Sequence, residues 1–470
     1  MKNLIKILFV LSFLLPVCAQ GQAVTWQKWY DYNNYEDNGQ DVIQTYGGGY
    51  LILSNNYIGF NSSSVITKIN ENGIVLWQRL FDSNLIGGPL TCDAVTQVSD
   101  SGFVISGGNR DSTLLIRTDN FGEINWIKKF TRPGYQGAFF SDHKITNDGG
   151  IIACGTLYGS SSIGYLVKTD SNGNLEWDSI YSFTTDIIRI IQSSDNFLYM
   201  LGYGTTLTKT TGTGEVVWKK DFFLPNRRDL VENLAGNIFI GGGLDSMILY
   251  KIDSAGLTIF QNSYFKGVLG CESMCISKEG NVLLAGIGNV NQAFLMAVSK
   301  IDEKGNLIFN KIIPTLEKKG NYSFLPRAVN ATNDSGFIFT GFTDYPPTYY
   351  ESNIYATKTD SLCNAPLIVS IADNNSIFPK EIQLYQNYPN PFNPVTTINF
   401  SIPKQGNVKL EVYDVTGKKV KTLINGLRAA GNYTINFSAT EGGSNLSSGV
   451  YFYRIESGDF IEVKRMILIK

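Results

Sequence analysis

Histidine is nearly missing from this 470-residue chain, in which His143 is the only one. A three-histidine metal site is thereby excluded, and any Ser-His-Asp arrangement has a single residue to rest on. That residue lies in Phe140-Ser141-Asp142-His143-Lys144-Ile145, on an inner strand, where a hydrogen-bonded structural role is expected. Cysteine is scarce as well: Cys92, Cys154, Cys271, Cys275 and Cys363 follow the N-terminal segment, an odd number with no CxxC pair. They form no disulfide framework and are expected as buried free thiols. Neither sign of charge dominates, with 39 Lys and Arg against 41 Asp and Glu, so nucleic acid and anionic membrane are not expected partners. No run beyond the first 20 residues is apolar enough to span a membrane. Walker, dinucleotide-binding and HExxH signatures are absent. Asp170-Ser171-Asn172-Gly173 lacks the further oxygen ligands of a calcium loop. No catalytic residue, metal or cofactor is expected.

Glycine is abundant, at 47 residues, while aromatics reach 13% and charged residues only 17%. Many short strands joined by tight turns have this composition, and the chain reads as all-β. Lys2 and Lys6, the apolar run Ile7 to Val17 and the small residues around Ala19 predict a signal peptide over 1–19, cleaved before Gln20. A lipidated Cys18 is the weaker reading, because Val17 stands where a small residue is wanted.

The dominant feature is repetition. Seven apolar, glycine-bounded runs begin at Tyr50, Phe103, Ile151, Leu198, Ile238, Val282 and Phe337. A strand apolar on both faces must be covered on both faces, as in a blade stacked between neighbours. A second signature follows each: KINENGIVLW, RTDNFGEINW, KTDSNGNLEW, KTTGTGEVVW, KIDSAGLTIF, KIDEKGNLIF and the divergent KTDSLCNAPL. Asp opens such a turn, Gly closes it with a positive φ, and an outer strand begins at the aromatic. A short alternating strand precedes each apolar run, at Asp41, Asp93, Asp142, Asp186, Asp229, Glu272 and Arg327. Four strands per unit predict a seven-bladed β-propeller over 20–363. Trp26-Gln27-Lys28-Trp29-Tyr30 matches the outer strands and has no blade of its own, so it is expected to complete the last one. Five of the six tryptophans hold this outer-strand position and read as packing anchors between blades. The repeat loosely resembles the docking motif of quinoprotein propellers and the Asp-box of sialidase propellers, but its spacing departs from both, and no catalytic residues carry over.

A linker at 364–381 leads to a different module, 382–470, with strict alternation in Val408-Lys409-Leu410-Glu411-Val412-Tyr413 and Val450-Tyr451-Phe452-Tyr453-Arg454-Ile455. A small Ig-like β-sandwich is expected. LYQNYPNPFNPVTTINFSIP, VYDVTGKKVKTL, SSGVYFYRI and the terminal KRMILIK resemble, in order and spacing, the type A sorting domain of the type IX secretion system. The motif positions are Tyr388, Pro389, Asn390, Pro391, Phe392, Asn393, Pro394, Gly417, Gly449, Tyr451, Lys464 and Met466. The resemblance implies export of the folded protein across the outer membrane, the secretion machinery as partner, and trimming in the linker.

Long loops bearing aromatics fall on one propeller face, the one formed by interblade links and second-to-third-strand connections. Tyr57, Phe60, Tyr135, Tyr345, Tyr349 and Tyr350 are the candidates there for binding an extracellular glycan or protein. The alternative is a polysaccharide hydrolase or lyase using carboxylates in the central channel.

Overall fold

In the computed structural model the described residues are 24–30, 32, 36–58, 61–109, 111–204, 206–225, 229–290, 293–314, 323–344, 352–366, 381–403, 406–428, 431–440 and 446–470. The expected signal peptide, Phe60, Tyr345, Tyr349, Tyr350 and most of the expected linker lie outside them.

Strand β1 is Trp26–Tyr30. Blade 1 comprises β2 (Glu36–Gln44), β3 (Tyr50–Ile58), β4 (Asn61–Ile69) and β5 (Val75–Phe81). Blade 2 comprises β6 (Thr91–Gln97), β7 (Phe103–Gly108), β8 (Thr113–Thr118) and β9 (Ile124–Phe130), with one helical turn, α1 (Ser83–Ile86), leading into it. Blade 3 comprises β10 (Gly137–Ile145), β11 (Ile151–Tyr158), β12 (Ile163–Thr169) and β13 (Leu175–Tyr181). Blade 4 comprises β14 (Ile187–Gln192), β15 (Leu198–Gly202), β16 (Thr206–Thr210) and β17 (Val216–Asp221). Blade 5 comprises β18 (Asp229–Glu232), β19 (Ile238–Gly242), β20 (Met247–Ile252) and β21 (Thr258–Tyr264). Blade 6 comprises β22 (Val268–Ile276), β23 (Val282–Val290), β24 (Ala293–Ile301) and β25 (Leu307–Ile313). Blade 7 comprises β26 (Ser323–Ala331), β27 (Phe337–Asp344) and β28 (Asn353–Thr359), and β1 supplies its fourth strand by pairing antiparallel with β28, Trp26 opposite Lys358. The first strands touch in the cycle β2, β6, β10, β14, β18, β22, β26 and back to β2, so the sheets close a ring. This is a β-propeller.

The second strands show why the fold needs the ring. Every residue of β7, β15 and β19 is buried, because each sheet is sandwiched by its neighbours. The core is accordingly divided into interblade clusters: Leu51, Leu53, Ile66, Trp77 and Phe81 of blade 1, for example, pack on Val95, Phe103, Ile105 and Leu114 of blade 2.

The Asp-Gly-Trp signature is the device that locks blade to blade. Asn70, Asp119, Asp170, Asp253, Asp302 and Asp360 each accept the backbone N–H groups two and four residues ahead, at 2.8–3.0 Å. The glycine that follows has φ between 70° and 89° at Gly73, Gly122, Gly173, Gly214, Gly256 and Gly305. It has a second reason to be glycine. A Cβ there would lie 2.7–3.1 Å from the ring of Trp26, Trp77, Trp126, Trp177, Trp218 or Phe260, the outer-strand aromatic of the preceding blade. The tryptophans are therefore packing anchors, as expected. In blade 7 Cys363 takes the glycine's place at φ 56° and is buried near Phe309. The basic residue ahead of the turn is also structural: Lys168, Lys300 and Lys358, at most 7% exposed, reach Asp148, Glu279 and Asp334 in the first turn of their own blades. Among the described residues the five cysteines, Cys92, Cys154, Cys271, Cys275 and Cys363, are free and buried.

The C-terminal module is a two-sheet sandwich. One sheet is β32 (Lys419–Arg428), β31 (Gly406–Tyr413), β34 (Gly449–Ser457) and β35 (Phe460–Leu468). The other holds β29 (Gln383–Leu384), β30 (Val395–Ile402) and β33 (Gly431–Ser438), and it continues into blade 1 through one β33–β5 pair, Gly431 opposite Trp77.

Candidate functional site

The channel is built from the first strands. Six of the seven carry a bulge, with Gln40, Asp93, Ser141, Ile188, Glu272 and Arg327 as extra residues, which re-aims the residue that follows. Asp41 and Asp142 follow two of these, and Asp229 opens β18. Each reaches to the next blade. Asp41 accepts the Val95 N–H at 3.0 Å, Asp142 that of Ile190 at 3.1 Å, and Asp229 that of Met274 at 2.8 Å. Their other oxygens take the N–H groups of Val42, His143 and Leu230. A second set of bonds joins neighbouring blades: Gln97, Gln192 and Gln44 accept the Tyr46, Asn147 and Asn333 N–H groups at 2.7–2.8 Å. Glu232 accepts that of Ser194 at 3.1 Å.

The cavity between these strands encloses about 620 Å³ and is lined by Asp41, Asp93, Asp142, Asp229, Glu232, Lys144, Arg189 and Arg327 among others. Lys144 meets Asp142 at 2.8 Å, and Arg189 meets Asp229 at 3.0 Å. Burial pushes the Asp41 carboxyl up, against its bond from Val95 and the charge of Lys144. Burial acts on Asp142 in the same sense, but Lys144 and Arg189 outweigh it and hold that carboxyl below its ordinary range. Asp41, Asp142 and Asp229 each accept one N–H from their own strand and one from the next blade, so these three carboxylates staple blades together. Among the described residues Arg327 has no anionic partner; its Nε is buried without an acceptor, and its guanidinium carbon lies 5.2 Å from the Phe342 ring centre.

On the face of the interblade links, Tyr57 and Tyr135 are half-buried. Burial, then Asp93 and Glu36, push the Tyr57 hydroxyl up. Tyr135 packs against the blade 2–blade 3 cluster, and its ring stands over Gly159, where a Cβ would be 3.3 Å away. Beside it, Gln136 donates its N–H to the Tyr158 carbonyl at 2.7 Å. Tyr158 is 47% exposed. Thr156 donates its hydroxyl to the Asp186 carboxylate, whose backbone carbonyl in turn accepts the Tyr203 N–H at 2.9 Å. Tyr203 is 68% exposed. Burial raises the Asp186 carboxyl despite the Thr156 bond, and Tyr158 is raised by burial and by the Asp186 charge. One link further, Phe222 and Leu224 are buried while Phe223 between them is 78% exposed. Backbone bonds thus bring the links that carry Tyr135, Tyr158, Asp186 and Tyr203 together over blades 3 and 4, with the Asp186 charge acting on Tyr158. Only Tyr135 among them was singled out from the sequence. The others sit in short links, and the available signal was an aromatic closing a strand beside glycine, as in Leu157-Tyr158-Gly159 and Gly202-Tyr203-Gly204.

In the sandwich, Phe392 is 2% exposed and inserts into the core, its N–H bonded to Ile467 and its carbonyl to Ile469. Asn390 accepts the Ile467 N–H at 2.9 Å, and the carbonyls of Pro389 and Pro394 accept from Thr396 and Ala439. Tyr388, at 80% exposure, and Pro391, Asn393 and Pro394 stay outside. The segment therefore ties the terminal strand β35 to the opposite sheet. Gly417 closes the Asp414 turn at φ 80°, and Gly449 starts β34. Tyr451 bonds the Ser447 carbonyl at 2.8 Å, Lys464 pairs with Glu462 at 2.9 Å, and Met466 is fully buried.

Residues 386–470 match the family described as the secretion system C-terminal sorting domain. No curated protein matches the chain. Among solved structures it is similar to the WD40 β-propeller domain of Doa1, at 10% identity over 72% of this chain and 99% of that one, TM-score 0.48. It is also similar to the extracellular domain of the hybrid two component system BT3049 from B. thetaiotaomicron, at 11% identity over 94% and 57%, TM-score 0.43. A third is a protein of unknown function from Dyadobacter fermentans DSM 18053, at 9% identity over 71% and 98%, TM-score 0.45. The propeller assignment rests on strand order and ring closure. The sorting domain makes this a secreted or cell-surface protein, exported by way of the periplasm through the type IX secretion system.

Proposed function

We propose that the exported protein is a non-catalytic binding module, with a propeller over 20–363 joined by the 364–381 linker to its sorting domain, and that it recognises an extracellular glycan or protein through the face of the interblade links. One observation carries the reading: exposed Tyr158 and Tyr203 flank a half-buried carboxyl, Asp186, on a rigid rim. Aromatic faces supply apolar contact at small entropic cost, and an adjacent carboxyl supplies directional hydrogen bonds. The channel carboxylates Asp41, Asp142 and Asp229 are engaged in holding blades together, which favours binding over hydrolysis. The test is a glycan array and a polysaccharide-depolymerisation assay on the mature chain and on a Tyr158→Ala/Tyr203→Ala variant. Retention lost in the variant, with no product from either protein, is the expected result; release of shortened polysaccharide by the wild type would overturn it.

A further inference from the structure

The blade 2 turn Asp119–Gly122 differs from its counterparts. Where five of the other six carry Asn72, Asn172, Thr213, Ala255 or Lys304 just before the glycine or its place in the turn, blade 2 carries Phe121. This side chain packs against the core of the sandwich. Its ring centre lies 6.4 Å from that of Tyr433, which stacks on Phe400 at 4.9 Å, so an aromatic column runs from the propeller turn into the sorting domain. Arg428, at the end of β32, lies over the Phe121 ring at 5.8 Å and approaches Glu123 at 3.7 Å. Arg79 of blade 1 holds the same carboxylate. Side-chain exposures of 11%, 22% and 16% for Arg79, Glu123 and Arg428 place this triad out of bulk water. Beside it, β33 continues the blade 1 sheet past β5, whereas β9, β13, β17, β21 and β25 end their sheets among the described residues.

We propose that the junction of blades 1 and 2 is a built docking site for the chain's own sorting domain. Phe121 is the knob, Glu123 the charge that selects Arg428, and the edge of β5 the template for β33. An unpaired outer strand invites pairing with other chains, and the sorting domain covers this one in cis. The two modules then travel as one body of fixed orientation, and removal of the tail uncovers Phe121 and the β5 edge together.

The test uses the full mature chain carrying Glu123→Cys and Arg428→Cys, since the five native thiols are buried. A short bifunctional thiol crosslinker should join the pair within one chain, as read by peptide mass spectrometry, while Asn172→Cys with Arg428→Cys, aimed at the equivalent turn of blade 3, should not. Adding Phe121→Asn to the first pair should lower the docking equilibrium constant, read as crosslinking rate, by about tenfold, from the loss of the aromatic pair with Tyr433 and of the apolar area that Phe121 buries. Far-UV circular dichroism and tryptophan fluorescence establish that each variant is folded. Equal crosslinking at the two turns, no effect of Phe121→Asn, or crosslinks only between two copies would overturn the cis dock.

Discussion

His143 makes the propeller's acid sensitivity measurable at a single position. It is fully buried on β10, with Nδ1 2.7 Å from the Ser106 hydroxyl and Nε2 without a hydrogen-bond partner among the described residues. Burial, then the neighbouring Lys144 charge, push its pKa from 6.5 down to about 3, against the pull of Asp142. A histidine depressed in the folded state stays neutral there while the unfolded chain takes up a proton below pH 6.5. Stability is therefore complete above that pH and falls as the pH drops towards 3, with a limiting slope of about 1.4 kcal/mol per pH unit. Between pH 7 and pH 5 the loss comes to about 2 kcal/mol, a value insensitive to the folded pKa so long as it stays well below 5. Urea unfolding at the two pH values measures it, followed by tryptophan fluorescence, since all six tryptophans precede residue 219 and report the propeller alone. Carboxyls raised by burial, such as Asp41 and Asp186, act in the opposite sense, but they are common to wild type and a His143→Gln variant. The difference between the two proteins isolates the histidine. A His143→Gln protein that loses as much stability as wild type over this interval would refute the argument.

Three further outcomes follow from the same packing. Gly173→Ala places a Cβ 2.7 Å from Trp126 at φ 74°, and about 2–4 kcal/mol should be lost in urea. Gly134→Ala, at φ 90° with nothing within 4 Å, should lose only the backbone part, about 1–2 kcal/mol, and equal losses would remove the tryptophan lock. Lys358→Met deletes an ammonium 1% exposed and bonded to Asp334 and the Thr359 carbonyl, so unfolding free energy should fall by about 2 kcal/mol. At lower pH, the Thr146 hydroxyl, the Gly150 N–H and Lys168 hold the Asp148 carboxyl down to about 2. Its contribution is present above pH 4 and lost as the pH falls towards 2, and Lys168→Met should flatten that part of the urea-midpoint profile.

What could be read ahead of the structure were features written in one repeat. Positive φ at Gly73 or Gly173, an Asx turn at Asp170, and an apolar run covered on both faces at Phe103 are local requirements that each copy restates. Pairing of Trp26–Tyr30 with Asn353–Thr359 was legible because an outer strand stood without a blade. The Asp41, Asp142 and Asp229 staples were visible only as acids opening their strands; their acceptor role depends on a neighbour in the next blade, roughly one repeat away. Tyr158 and Tyr203 sit in short links and not in the long, variable loops that mark a recognition face, yet short links aim side chains outward just as firmly. Phe121 stood in plain view within RTDNFGEINW, yet its partner Tyr433 belongs to another module, and no periodicity within the repeat points there.

The closing strand sets an order of events. Gln27 of β1 accepts the Tyr355 hydroxyl across 328 residues, so the first strand made waits for one of the last before it has a partner. Until Asn353–Thr359 exists, blade 7 lacks two strands, and Trp26, Ile52 and Ile338 have no shared interior to enter. The segment that follows is the sorting domain. A chain cut short before β28 would lack both the means to shut its ring and the tag that requests passage to the outside. Placing the tag after the final strand thus acts as a completeness check: what can be exported is also long enough to be closed.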